Sequence, residues 1–594
     1  MFTIGPQLSI KMNRKTLVLF GVAIGLVLVG GVVGWWGHTA GGDVTIHETQ
    51  IETEQGTIDG YLYVPPEAAA DDPAPGVLAI HGYINSKETQ APFAIELARR
   101  GHVVLAIDQT GHGYSDPPAF SQGWGGPPAL EYLSEHELVD PDRIAIEGHS
   151  MGGWASVAAA AAHPDSYESM VLAGSSTGSS GAPAGNATFP RNLGVVYAEY
   201  DEFHPLMWGT ETAPATPTSD KLQNVFGTDE RIETGRIYGD FEAGTARALY
   251  QPSTTHPGTH HSPTAVAHVV EWVQRTTGGD TTLDPDDQIW HWKELGTAVS
   301  LFGGFLFLFP MIGTLSETGA LASATRSLPD PIAERDRGWG LSVALTALLP
   351  VVTYYPLMLL GRQGLPVTAL TPQNETNGIA VWMLGNAAII AALVGVWHVR
   401  SDRTLADARA RYGLDTGDGA GTLARSVAIA GGVALALLAL LFAFDALFRL
   451  DFRAWLLALK LPSALHLRIG LGYFPAFLAF FVALEVLLHA RLRTAVTTDS
   501  LRRAIAENVA LLAGPFVAFL GVQYGYLFAT GALPVPLTAL QTIIAFQFVG
   551  VLVGVGAVST YSFHRTGRVW VGAVLNALLV TWLVVASQAT HLPL

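Results

Sequence analysis

The 594-residue chain contains no cysteine. Disulfides, cysteine nucleophiles and thiolate metal sites are therefore excluded. Charge is also scarce: Asp, Glu, Lys and Arg make up 14% of the residues, against 49% for the hydrophobic types. That balance excludes an ordinary soluble domain for the whole length and fits a membrane protein. The charge present is unevenly placed. Residues 37–290 carry about 35 acidic and about 10 basic side chains, a net charge of about −25, and since the whole chain stands at −17 the remainder is about +8. So acidic a stretch lacks the basic footprint that nucleic acid requires, and no nucleic-acid partner is expected. It resembles the carboxylate-rich surfaces of proteins from salt-loving organisms. A site that repels anions is the rival reading, but carboxylates spread this evenly suit a solvated surface better.

Long apolar runs are what the chain has instead. Lys11, Arg14 and Lys15 precede an uninterrupted run from about Thr16 to Trp36, long enough to cross a bilayer. It exceeds the apolar segment of about 7–15 residues found in cleaved signal peptides. Residues 1–36 are therefore expected to be a retained transmembrane anchor. Its basic flank stays in the cytoplasm and the stretch C-terminal to it is exported. After a Gly/Asp-rich linker, 276–289, residues 290–594 read as a membrane domain. Eight further spans are expected near 295–315, 340–360, 378–398, 427–447, 469–488, 508–530, 537–559 and 569–588.

The loops test the topology. With the N-terminus inside, alternate loops should be cationic. Arg326, Arg335 and Arg337 fit, as do Arg400, Arg403, Arg409 and Arg411. Arg491, Arg493, Arg502 and Arg503, then Arg565 and Arg568, continue the series. Arg449, Arg453, Lys460 and Arg468 break it. Both N-x-T sequons, at Asn186 and Asn374, fall on the expected outer side. Polar residues inside the spans include Asn386, Asp445, Glu485, Gln523, Gln541 and Gln547. Interhelical hydrogen bonding or nearness to the interface accounts for such groups, and Glu485, near a span end, is expected to reach water.

Between anchor and linker, 37–275 reads as an exported α/β domain. Val44 to Val64 is a hairpin with its turn at Gln55-Gly56. Gly76–Ile80 is a buried strand, Thr89–Arg100 a helix stopped by Gly101, and His102–Asp108 a second buried strand. Strands also fall at Ser169–Ala173, Gly194–Ala198 and Arg247–Tyr250, and Pro263–Arg275 is an amphipathic helix. This alternation specifies a doubly wound, mostly parallel sheet. Gly148-His149-Ser150-Met151-Gly152 lies between an apolar run and a small-residue run, the strand–turn–helix context that gives G-x-S-x-G its meaning. Such a turn strains the serine backbone, and the flanking glycines admit a close approach of strand and helix.

His81-Gly82, Asp108 with Gly111-His112-Gly113, Gly148 to Gly152, Asp201 and His256 follow the order seen in the α/β-hydrolase superfamily. The stretch 44–275 resembles its bacterial and archaeal esterase, dienelactone-hydrolase and serine-aminopeptidase branches. The transmembrane half resembles no family of nameable function. The resemblance implies Ser150 as nucleophile, an acid after a later strand, and a histidine that comes last. Asp201 occupies the acid position, with Glu199 and Glu202 as rivals. His256, His260 and His261 compete as base. His256 follows the last strand by a short loop, whereas His260 and His261 sit almost at a helix cap, where surface histidines are the plain expectation. Family analogy puts the oxyanion donors at the N–H groups of Tyr83 and Met151 and makes His81, Asp108 and His112 structural. No histidine–carboxylate spacing suits zinc, so neither metal nor cofactor is expected.

The short loop between Ser175 and Pro190 leaves little room for a lid, so the 203–244 segment or the membrane domain is expected to roof the pocket. The expected activity is hydrolysis of an ester, of small-molecule or lipid-like acyl type, by a membrane-bound serine hydrolase facing outward among membrane lipids. The alternatives are a serine peptidase or aminopeptidase, or a ligand-binding ectodomain on a transporter or sensor.

Overall fold

The computed structural model describes residues 13–401 and 404–593, with Lys11 and Arg403 outside the described residues. Two compact units divide the chain. One comprises Val33–Leu295 with Val522–Ile543 and Ser587–Leu594, and the other Met1–Val32, Gly296–Gly521 and Ile544–Ala586.

The first unit is built on eight strands: β1 (Thr45–Thr53), β2 (Gly56–Val64), β3 (Ala74–Ile80), β4 (Val103–Ile107), β5 (Val139–His149), β6 (Ser169–Ala173), β7 (Leu193–Val196) and β8 (Arg247–Tyr250). They are ordered β1-β2-β4-β3-β5-β6-β7-β8. The β1–β2 and β2–β4 pairs are antiparallel and every other pair is parallel. Thr53 pairs with Gly56, so the hairpin turns on Glu54-Gln55, one residue before the expected place. Strands β3, β4, β6, β7 and β8 are buried along their whole length, as parallel strands covered on both faces must be. The helices Gly126–Ser134 and Met151–Ala162 pack on one face. The helices Ala91–Ala98 and Pro263–Thr277 pack on the other. This is the doubly wound α/β-hydrolase architecture.

The helix Gly126–Ser134 is not among the elements expected from the sequence. Its opening Gly-Pro-Pro looks like a break, yet proline is compatible with a helix's first turn, where the missing N–H has no intrahelical acceptor. The polar segment 276–289 is held along the domain. Arg99 pairs with Asp287 at 3.1 Å, Asp280 N donates to Arg100 O at 2.9 Å, and the Ile289 and Trp290 N–H groups donate to Glu96 Oε1 at 2.7 and 2.9 Å.

Among the described residues, the regular structure of the second unit is helical apart from one two-stranded ribbon, Phe452–Ala454 with Leu457–Leu459. Among the described residues, seven helices of the chain are long and apolar enough to cross a bilayer: Arg14–His38, Trp290–Ser316, Asn374–Val399, Ala420–Phe448, Ala464–Arg491, Leu501–Thr530 and Ala539–Thr566. The run expected at 340–360 is a pair, Arg337–Val352 and Tyr354–Gly364, bent by 43°. The last expected span is the shorter helix Trp570–Ala586. Glu485 does not reach water as expected. It is fully buried beside His489, and a Cβ on Gly572 would stand only 2.2 Å from its Oε1.

Candidate active site

The sharpest backbone feature of the sheet unit is at Ser150, whose φ of 56° and ψ of −123° separate β5 from the helix Met151–Ala162. A non-glycine residue held there carries strain of about 1–3 kcal/mol that the surroundings must outweigh. They do so by close packing. A Cβ at Gly148 would stand 2.4 Å from the Gly152 carbonyl, and one at Gly152 would stand 2.0 Å from Ile80 O. The turn is pinned as well: Ser150 N donates to Ala173 O at 2.9 Å and Ser175 Oγ donates to Ser150 O at 2.5 Å. Met151 is the first helical residue, so its N–H has no intrahelical acceptor. The His81–Tyr83 loop lies alongside, since a Cβ at Gly82 would be 3.0 Å from the Ser150 Cβ.

Asp201 and His256 meet above the end of β6. His256 Nδ1 is 2.8 Å from Asp201 Oδ2, and both side chains are buried. Gly174, with φ of 56°, makes room for the pair: a Cβ there would lie 3.1 Å from His256 Nδ1 and 3.3 Å from Asp201 Oδ2. Asp201 Oδ1 accepts the Phe203 N–H at 2.8 Å. A carboxylate on Nδ1 keeps the proton on that nitrogen and leaves Nε2 basic. Burial alone lowers the affinity of His256 for a proton, but the Asp201 and Glu202 charges outweigh it and raise the pKa above the ordinary value.

The other two histidines are otherwise engaged. His260 is buried, contrary to its expected surface position, and its Nε2 meets Gln90 Oε1 at 2.8 Å. Gln90 Nε2 in turn donates to the buried Glu147 at 3.0 Å. Burial, then the neighbouring His261 and His256, holds the His260 pKa well below its usual value. His261 Nε2 lies 3.3 Å from Glu294 Oε2. Asp108 accepts Lys87 N at 2.8 Å, Lys87 Nζ at 3.1 Å and Tyr114 N at 3.0 Å, so it binds two loops together. His81 Nε2 accepts the Gln109 N–H at 3.0 Å while Nδ1 meets Gly82 O at 2.6 Å, which places the ring proton on Nδ1.

Glu202 does more than the sequence suggests. It is buried, its Oε2 accepts the His256 backbone N–H at 2.8 Å, and its Oε1 accepts the Tyr524 hydroxyl at 2.6 Å. Burial first, then the Asp201 charge, pushes its pKa up to about 7. No short-range pattern signals a partner 322 residues away. The same compact unit gathers other late segments around the loops. Ala213 N donates to Gly531 O at 2.9 Å, and Tyr200 and Phe528 stack edge-on at 5.1 Å. Thr590 exchanges backbone hydrogen bonds with Gly111 and Ala119, and the Tyr83 hydroxyl meets His591 Nε2 at 3.2 Å.

Comparison with known proteins matches residues 75–227 to the family described as the alpha/beta hydrolase fold. A protein of Mycobacterium tuberculosis, described as uncharacterized and found in strains H37Rv and CDC 1551 / Oshkosh, is 33% identical over 116 residues, covering 19% of this chain. The chain spans 41% of the length of these curated relatives. Among solved structures, a bacterial heroin esterase aligns at 17% identity and a TM-score of 0.29 over 40% of this chain and 85% of its own. A dienelactone hydrolase from Anabaena variabilis aligns at 17% identity and 0.26, over 40% and 99%. An esterase from the archaeon Pyrobaculum calidifontis aligns at 16% identity and 0.28, over 44% and 92%.

Proposed function

Taking as premise that the eight-stranded domain has the α/β-hydrolase fold, we propose that the chain is a membrane-bound serine hydrolase that cleaves an acyl ester through a covalent intermediate on Ser150. One observation carries the reading. The Ser150 turn and the Asp201–His256 pair are both anchored at the Ala173–Gly174 end of β6, the first by a hydrogen bond and the second by contact.

His256 Nε2 takes the Ser150 proton as Oγ attacks the carbonyl carbon. The carbonyl oxygen becomes an oxyanion, stabilised by the Met151 and Tyr83 N–H groups. The C–O bond to the alcohol then breaks, and His256 returns the proton to the leaving oxygen. Water, deprotonated by the same imidazole, attacks the acyl carbon; the bond to Ser150 Oγ breaks, His256 returns the proton to Oγ, and the carboxylic acid leaves. Asp201 holds Nδ1–H and stabilises the imidazolium in both halves.

The proposed substrate is a small-molecule or lipid-like acyl ester, in keeping with the helices that adjoin the sheet domain in sequence. The arginine-rich loops support a catalytic domain on the outer side of the cell membrane. The cations that break the loop pattern carry reduced weight, because Arg453 pairs with Asp451 at 2.6 Å and Lys460 is buried. Glu202 is committed to His256 and Tyr524, which counts against its serving as an amine anchor in an aminopeptidase. The test is a panel of acyl esters run against amino-acid amides with the detergent-solubilised full-length protein and Ser150→Ala. Ester turnover lost in the variant is expected; amide turnover alone, or turnover that survives Ser150→Ala, would overturn the assignment.

The site also sets the pH profile. Only neutral His256 is a base, and its pKa is raised, so kcat/KM should climb with pH through a midpoint above the ordinary imidazole value of about 6.5. Glu202→Gln removes one of the charges that raise it, so the midpoint should move to lower pH. A midpoint unchanged or moved upward would show that the Glu202 charge does not reach the imidazole.

A further inference from the structure

The helical unit contains a second place where polar chemistry is concentrated. A cavity of about 400 Å³ opens among the helices Arg337–Val352, Leu501–Thr530 and Ala539–Thr566 and the segment after Val486. That segment, Leu487–Arg491, is a π-helical turn, an irregularity frequent at functional sites. It sets His489 into the cavity wall, where the imidazole is buried and stacked on Phe563 at 4.1 Å. His489 Nε2 stands 3.1 Å from the Glu485 carboxylate yet out of line for a hydrogen bond, and it has no other hydrogen-bond partner among the described residues.

The charge at this end is unbalanced. Arg335 and Arg503 share one carboxylate, Glu507, at 2.8 Å each. Arg493 is 4% exposed and lines the cavity. Among the described residues its guanidinium donates only to neutral oxygens, those of His489 O at 3.0 Å, Thr498 Oγ1 at 2.8 Å and Asp330 O at 3.4 Å. An arginine does not shed its proton; the Asp330 charge acts on this one through space, but no carboxylate is hydrogen-bonded to it among the described residues, so the buried guanidinium can take an anion from elsewhere. Further along the same helices the lining turns apolar: Val343 and Ala347 follow Arg335 and Trp339 by about one and two turns or more, and Leu511 and Pro515 follow Glu507. Cation on one part of the lining and hydrocarbon further along match an amphiphile, and the volume lies within the range of about 300–1,000 Å³ usual for small-ligand sites.

We propose that this cavity binds an amphiphile with an anionic headgroup, seated on Arg493 and Arg335 with its chain between Val343 and Leu511. A phospholipid phosphate and a fatty-acid carboxylate share that chemistry. The site is built from residues of the helical unit alone and does not depend on the hydrolase reading.

The experiment uses the full chain, delipidated in neutral detergent, with retention of phosphatidylglycerol, oleate or phosphatidylcholine measured by native mass spectrometry. Phosphatidylglycerol or oleate should be held about tenfold more strongly than phosphatidylcholine. Retention of the former alone assigns a phosphate headgroup, and of oleate alone a carboxylate. Arg493→Gln and the cavity-filling Val343→Trp should each abolish the preference, while Arg425→Gln, at an Asp418 pair outside the cavity lining, should keep it. Val343→Trp leaves every cation in place, so it carries the test should Arg493→Gln fail to fold. Equal retention of all three lipids, or a preference that survives in folded Val343→Trp, would overturn the proposal.

Discussion

Replacing His256 with alanine is expected to lower kcat for ester hydrolysis by about 10⁴- to 10⁶-fold while leaving the fold intact. The imidazole is the single base in both halves of the proposed reaction, and its Nδ1 is the one that meets Asp201. Asp201→Asn should cost about 10⁴-fold, because the amide no longer dictates which ring nitrogen carries the proton. His260→Ala should behave in the opposite way. It leaves Gln90 Oε1 buried without its partner, at a cost of about 1–3 kcal/mol in stability, but removes no proton acceptor from the reaction. Parallel measurement of kcat and thermal midpoint in the three variants separates a base from a scaffold. Turnover that survives in His256→Ala and disappears in His260→Ala would exchange their roles.

The second large effect concerns Gly152, and here two tendencies oppose each other. Glycine within a helix is worse than alanine by about 1 kcal/mol, so Gly152→Ala considered as a helix substitution should stabilise. The new methyl carbon, however, would stand 2.0 Å from Ile80 O and 2.6 Å from His81 O, both backbone atoms of the strand and loop beneath. Backbone cannot rotate aside as a side chain does. The helix must lift, and overpacking of this kind costs about 1–3 kcal/mol or more. Clash outweighs propensity, so the thermal midpoint should fall. Activity should fall further, since displacing the serine by about 1 Å is worth about 10²-fold in rate. A variant as stable and active as the parent would mean that strand and helix are not so closely apposed.

Much of this arrangement is legible in local pattern. Gly148-His149-Ser150-Met151-Gly152 announces a strand–turn–helix because its glycines flank a small-residue run, and φ at Ser150 is positive. The strands Ser169–Ala173 and Arg247–Tyr250 have the bounds expected of them. Burial and long-range pairing are what the pattern leaves out. His260 reads as a surface histidine because it sits at a helix cap, whereas Gln90, remote in sequence, draws it inside. Glu202 looks like a spare acid until Tyr524 and the His256 N–H are seen on its two oxygens. Glu485 lies near a span end in sequence, yet the π-turn just beyond it keeps it among packed side chains. For His260 and Glu202 the partner comes from a distant element, information that hydropathy periodicity does not carry.

The most direct test is covalent labelling of the full-length protein in membranes by a fluorophosphonate, with the modified residue located by peptide mapping. A single phosphonylated serine, Ser150, is expected, with labelling lost in Ser150→Ala and strongly slowed in His256→Ala. A folded parent that does not react, or reacts at another serine, would contradict it.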